Sequence, residues 1–210
     1  MRNSLSAPTL TLLVSALSFL ALNYEAKAQA VTLTAAQTTN RQALFQILPL
    51  WMGGKDSAAE STAQANYLRQ FGAKFAPNAV IGVIPQGSNI HIPFARQFYG
   101  RSGAQTFARY HWNTVSSEYN HLTPDEQAAH EAAPGDPRVR HPGGPLSFDF
   151  LGDNVIHVVN TADVTVRATG RSVHLVIDET WTFDSAHQVQ SALFTYSTSE
   201  LNAAFQPAQP

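Results

Sequence analysis

Glu179 sits in a run, Arg171 to Phe183, whose odd positions from Val173 onward are otherwise apolar: Val173, Leu175, Ile177, Trp181 and Phe183. Alternation of this kind marks a strand with one buried face, so the carboxyl is expected on that face. Upstream, Val155 to Ala168 alternates in the same way. Its even positions Ile156, Val158, Ala162, Val164 and Val166 are apolar, with Asn160 the exception. Thr169-Gly170 between the runs predicts a two-residue hairpin turn. That turn pairs Ala168 with Arg171, hence Asn160 with Glu179 and Val158 with Trp181. The opposite face carries His157, Asp163, Arg167, His174, Asp178 and Thr182. Burial strips a carboxyl of its hydration and raises its pKa unless a partner holds the charged form. Asn160 is expected to be that partner, because an amide can donate to a carboxylate or accept from the neutral acid. An acid kept neutral near pH 7 suits general acid–base work. A carboxyl that merely bonds Asn160 inside the core is the structural alternative.

His91 is the second candidate for chemistry, placed between Ile90 and Ile92 and followed by Pro93-Phe94, where a strand is expected to bend. His111, beside Tyr110 and Trp112 in a helical stretch, is a weaker one. The other histidines among the eight, His121, His130, His141, His157, His174 and His187, scatter over turns and polar positions. None forms a His-Glu-x-x-His or His-x-x-x-His pattern, so no metal site is expected. The chain has no Gly-x-Ser-x-Gly elbow, phosphate loop or dinucleotide fingerprint, and no cofactor is expected. It has no cysteine, which excludes a thiol nucleophile, cysteine-based zinc sites and disulfides.

The elements that must position these residues can be read in outline. A first helix is expected from Thr34 to about Leu48, ended by Pro49 and Gly53-Gly54. A second begins at the capping box Ser57-Ala-Ala-Glu60 and buries Tyr67, Leu68 and Phe71. Ala79 to Ile84 reads as a short buried strand, and Ile90 to Tyr99 as extended chain interrupted by Pro93. A third helix runs from about Ala104 to Val115, with Phe107, Tyr110, His111 and Thr114 on one side. Residues 116–150 read as a surface excursion holding a short helix from Thr123-Pro124-Asp125-Glu126 to about Ala133. The excursion offers little apolar area and is expected to be dispensable for folding, as a lid or flap. Val189 to Ser197 is the last strand.

The N-terminus carries Arg2, a 13-residue apolar run from Leu10 to Leu22, and Ala26-Lys-Ala28 and Ala28-Gln-Ala30 as cleavage sites. Spanning a bilayer takes about 20 apolar residues. Residues 1–30 are therefore expected to be a cleavable signal peptide, making the protein secreted or periplasmic and free of the membrane after cleavage. Removing 30 of 210 residues leaves 180, enough for one core. With Arg2, Lys27 and Glu25 gone, 11 basic and 14 acidic residues remain, a formal charge of −3. Without a basic block, nucleic acid is not an expected partner.

Ile92-Pro93-Phe94-Ala95, Tyr99-Gly100-Arg101 and the long hairpin ending in Trp181-Thr182-Phe183-Asp184, after N-terminal helices, resemble the SnoaL-like proteins of the nuclear transport factor 2-like superfamily. The resemblance covers about Ala35 to Phe205 apart from the 116–150 excursion, so one domain is expected over residues 31–205, with 206–210 as a tail. It implies an α+β fold: a cone-shaped, strongly curved antiparallel sheet wrapped around N-terminal helices, enclosing an apolar pocket. The members include polyketide cyclases, ketosteroid isomerases, dehydratases and non-catalytic binding or dimerising modules, so fold alone does not choose a function. Counting back from Phe183-Asp184 places Glu179 where ketosteroid isomerases keep a neutral acid. Ile92 replaces that family's general base, and the first helix lacks its tyrosine, which argues against steroid isomerisation. Two expectations follow. One is an acid/base enzyme of isomerase, cyclase or dehydratase type, using Glu179 and His91 on a small apolar molecule contacted by Asn160, Trp181, Phe94, Tyr110 and Tyr67. The other is a ligand-binding or dimerisation module, with a homodimer among the assemblies the resemblance allows.

Overall fold

The computed structural model describes residues 32–120, 124–132 and 144–207. The signal-peptide expectation and residues 121–123 and 133–143 of the expected excursion lie outside the described residues. Residues 33–120 and 145–207 belong to one compact unit.

Helix α1, Ala35–Asp56, opens on a capping box in which Thr34 accepts from the Gln37 backbone and Gln37 returns the bond. It does not stop at Pro49, as the sequence suggests, but continues for another seven residues. The two glycines read as a stop serve close packing instead. A Cβ on Gly54 would stand 2.2 Å from the Trp112 ring, and one on Gly53 would stand 2.4 Å from the Tyr67 ring. Tertiary contact here overrides the local breaker signal. Ser57, expected to start the second helix, caps the end of the first by bonding the Gly53 carbonyl through N–H and Oγ. Ser61 is the N-cap of α2, Thr62–Ala73.

Strand β1, Phe75–Gln86, is twice the expected length. Of the stretch 90–99, only Gln97–Tyr99 is strand, β2; residues 89–96 form turns closed by Ile92 N–H to Asn89 O and Ala95 N–H to Ile92 O. Helix α3, Gly100–Thr114, begins four residues before Ala104, with Gly100 in the left-handed region at φ 69°. Both ends of the stretch 116–150 are sheet rather than excursion. Strand β3, Val115–Tyr119, and strand β4, Ser147–Phe150, share one edge of β5, Val155–Val166, end to end. In the sequence between these two strands, Pro124–Ala132 is helical, α4, with acidic residues in its first turn. Strands β6, Ser172–Phe183, and β7, Val189–Ser197, follow, then a helix the sequence reading missed, α5, Thr198–Phe205.

The seven-stranded, curved, unclosed sheet has the order β2-β1-β7-β6-β5-β3, with β4 beside β5. All pairings are antiparallel except β1 with β7. Its inner face presents Val115, Ser117 and Tyr119 from β3, even residues of β5, odd residues of β6, and Ala192, Phe194 and Tyr196 from β7. Helices α1 and α3 cover that face: Phe45 stacks on Phe148, and Phe107 lies flat against Phe194 at 5.5 Å. Phe71, Phe75, Trp112 and Ile156 are among the fully buried side chains.

The hairpin register differs from the expected one by two residues. Asn160 pairs with Ile177, Val158 with Glu179, and Ile156 with Trp181. The turn holds four residues, not two: Val166 N–H bonds Arg171 O, and Gly170, at φ 66°, returns its N–H to Val166 O. Contacts from distant elements fix this longer loop. Arg167 donates to the Trp112 and Val115 carbonyls, Thr169 to Ala204 O, and Arg171 to Ala203 O. Because side chains alternate with period two, a slip of two keeps every residue on its expected face.

Candidate functional site

The alternating runs place Glu179 and Asn160 on the inner face, and the slip turns their contact from directly opposite to diagonal. Asn160 Nδ2 donates to Glu179 Oε1 at 2.6 Å, and Trp181 Nε1 donates to Oε2 at 2.9 Å. Glu179 is 9 % exposed and Trp181 6 %. Burial pushes the Glu179 pKa up from its ordinary 4.5; the Trp181 and Asn160 bonds oppose this, and the charge of Asp178 adds to it. Among the described residues Glu179 is the acceptor in each of its hydrogen bonds. Both its protein bonds are incoming.

Asn160 is itself held. Its Oδ1 accepts from Asn120 Nδ2 at 2.9 Å. Asn120, just beyond β3 and in the left-handed region at φ 56°, clasps β5: its N–H bonds Thr161 O, and its Oδ1 takes the Thr161 N–H at 3.0 Å. Asparagine tolerates that backbone conformation better than most residues.

Tyr119, facing Ala162 across the strands, lies within electrostatic range of Glu179. Burial, then the Glu179 charge, raises its pKa, so the phenol stays neutral. Tyr196 is buried too, with a raised pKa and no partner for its hydroxyl among the described residues. His111 packs between Trp51 and Phe94, ring centroids 4.8 and 4.9 Å away. Burial first, then the cations Lys55 and Arg167, lower its pKa to about 3. The interior therefore holds a carboxyl, two phenols and an imidazole, all pressed toward their uncharged forms.

Of the residues singled out from sequence, Glu179, Asn160 and Trp181 come together. His91 does not join them: it is exposed in the turns before β2, its N–H bonded to Asn202 Oδ1. Pro93 bends the chain so that Ile92 and Phe94 turn inward and His91 outward. Phe94 is in the core against His111, Phe107 and Phe205. Tyr67 is half-buried where α2 meets Gly53, and Tyr110 packs on Phe98 under Arg96. Among the described residues Glu179 is hydrogen-bonded to Asn160 and Trp181 and to neither tyrosine. Tyr119, Asn120, Trp51 and Tyr196 were missed. Ser117 and Tyr119 alternate with Val115, a short period-two signal that the reading of 116–150 as excursion obscured.

On the outer face, His157 bonds Asp178 at 2.9 Å and His174 bonds Asp163 at 2.8 Å. Among the described residues no group of three His, Cys, Asp or Glu is arranged to hold a metal ion.

Solved structures share this architecture. An NTF2-like protein from Burkholderia xenovorans LB400 superposes with a TM-score of 0.55 at 14 % identity, covering 81 % of this chain and 98 % of its own. A protein proposed to be an isomerase from Bacillus subtilis gives 0.52 at 10 % identity, covering 84 % and 100 %. The fold is nuclear transport factor 2-like. A phenazine biosynthesis-related protein from Pseudomonas aeruginosa gives 0.51 at 8 % identity, covering 87 % of this chain and 88 % of its own. At such identities the likeness to nuclear transport factor 2-like proteins is one of fold alone. No protein-family model matches the sequence, and no curated protein does.

Proposed function

We propose that this is an exported SnoaL-like protein that holds a small, largely apolar molecule against the inner face of the sheet and presents to it the neutral acid of Glu179. The observation that carries the reading is the Glu179 carboxyl, buried among Trp181, Phe194 and Tyr119, with two incoming hydrogen bonds and no outgoing one among the described residues. A neutral acid so held can donate to a carbonyl or hydroxyl oxygen of the ligand. That step is common to isomerase, cyclase and dehydratase chemistry.

A second reading, binding without turnover, is favoured by a specific observation. His91 stands apart from the acid, and His111, with a pKa near 3, is a poor base at neutral pH. The acid has no evident base to work with among the described residues.

Native mass spectrometry of protein purified from its own secretions tests the proposal. The expected result is a copurifying apolar molecule with a carbonyl or hydroxyl oxygen, retained by the parent and lost from Glu179→Leu. Retention by Glu179→Leu with unchanged affinity would overturn it. The same spectra report the mature N-terminus, expected near Val31 as the Ala-x-Ala sites require. Met1 or Arg2 retained on the exported protein would refute export by cleavage.

A further inference from the structure

We infer that Asn120 is a positioning residue that fixes the direction of the hydrogen bonds ending on Glu179, leaving the acid's proton free for a ligand. The inference rests on the proposed role of Glu179 and adds a residue to it.

Amide orientation is ordinarily an assignment, since the oxygen and nitrogen of an asparagine look alike. Here the backbone decides it. The Thr161 N–H is a donor and nothing else, so the Asn120 atom facing it at 3.0 Å must be oxygen. Asn120 then points its NH2 at Asn160, whose facing atom, at 2.9 Å, must be oxygen too. Asn160 therefore points its own NH2 at Glu179 Oε1, at 2.6 Å. On the other side the indole N–H of Trp181, again a donor only, meets Oε2. Both oxygens of Glu179 thus accept from groups that cannot be turned round. When Glu179 carries a proton, as its burial favours, that proton cannot be given to Asn160 or Trp181. It must sit on a lone pair aimed away from both. Without Asn120, Asn160 is free to rotate, offer its oxygen to the acid and absorb the proton.

The arrangement makes a signed prediction for glutamine in place of Glu179. A glutamine amide has one oxygen and one NH2, so its NH2 must face a donor on one side or the other. Glu179→Gln should therefore destabilise the protein although the shapes match. Adding Asn120→Ala releases Asn160, which turns its oxygen to the glutamine NH2 and removes the conflict.

The test is a double-mutant cycle by urea denaturation with parent, Asn120→Ala, Glu179→Gln and the double variant. Asn120→Ala is expected to lower the folding equilibrium constant at least ten-fold less in the Glu179→Gln background than in the parent. Equal costs in both backgrounds would overturn the inference. The second readout is the Glu179 titration midpoint from side-chain carboxyl carbon NMR. It should rise by about one unit in Asn120→Ala, a change that creates no charge, as Asn160 begins to accept from the neutral acid. A midpoint that stays in place while the protein merely loses stability would assign Asn120 a structural role and refute the proposal. Should Asn120→Ala not fold, Asn120→Asp keeps the acceptor for Thr161 N–H and reverses Asn160. In that variant the NOE from the Asn160 side-chain amide must move from Glu179 to the introduced aspartate, and failure to move is equally decisive. The two claims fail separately. Additive costs with ligand lost from Glu179→Leu would leave the functional reading standing without the relay. Coupling with ligand binding indifferent to Glu179 would do the reverse.

Discussion

Trp181→Phe removes one N–H donor from Glu179 and keeps an aromatic ring against Phe194, which meets Trp181 edge-on at 5.6 Å. The lost bond runs from Nε1 to Oε2 at 2.9 Å and strengthens when the carboxyl ionises. A hydrogen bond to a charged group is worth about 1.5–3 kcal/mol, and one pKa unit corresponds to ~1.36 kcal/mol. Losing it should raise the already elevated Glu179 pKa by about 1–2 units, read as the midpoint of the Glu179 carboxyl-carbon NMR shift. The stability consequence has a definite sign. With its folded pKa above the ordinary 4.5, Glu179 binds more proton in the native state than in the unfolded chain. Stability then falls as pH rises from 4.5 through the folded pKa, by at most ~1.36 kcal/mol per pH unit. Trp181→Phe extends that falling stretch to higher pH. The smaller ring also lowers stability at every pH, but that loss has no pH slope. A midpoint that stays put or moves down in Trp181→Phe would refute the claim that the indole holds the charged form.

Three further outcomes follow from the same structure. His111, lowered to about 3, works in the opposite direction from Glu179: the unfolded chain takes up a proton that the native state refuses, so stability is lost as pH falls through 6.5 toward 3. His111→Leu should flatten that acid limb of a urea-midpoint profile, and an unchanged limb would remove His111 as its cause. Gly54→Ala puts a Cβ 2.2 Å from the Trp112 ring, so it should destabilise despite alanine's helix preference of ~1 kcal/mol; a rise in Tm would mean that α1 is not packed this closely. Trp181→Ala, at a residue 6 % exposed, should cost ~3–5 kcal/mol in chemical denaturation, and a cost below ~1 kcal/mol would contradict its burial.

What the sequence shows about this fold is governed by the range of the interaction that decides each feature. Alternation in 155–166 and 172–183 is local, and it places Asn160, Glu179 and Trp181 on one buried face before any partner is known. Register is less local. The Thr169-Gly170 pair fits a tight turn, and the carbonyls of Trp112, Val115, Ala203 and Ala204, far away in the chain, select the longer loop. The slip had to be an even number of residues, because an odd one would have placed either His157 and Asp163 or His174 and Asp178 on the buried face beside the other strand's aliphatic set. The face of Glu179 is thus secured by hydrophobicity, its exact neighbour by tertiary hydrogen bonds. The glycines fail for the same reason. Gly53-Gly54 reads as a helix stop because the rings of Tyr67 and Trp112 that require them are 14 and 58 residues away. His91 and His111 mark the limit for the site. Both stand beside aromatic or apolar residues in sequence, yet His91 is exposed and His111 packs on Trp51 and Phe94. Which histidine turns inward depends on the bend at Pro93 and on the pitch of α3 against α1, and one sequence read alone carries neither. Asn120 is the extreme case. Its role depends on which amide atom meets the Thr161 N–H, 41 residues on. That contact gives the Glu179 end of the network its direction, so the residue that orients the site carries the weakest signal in the chain.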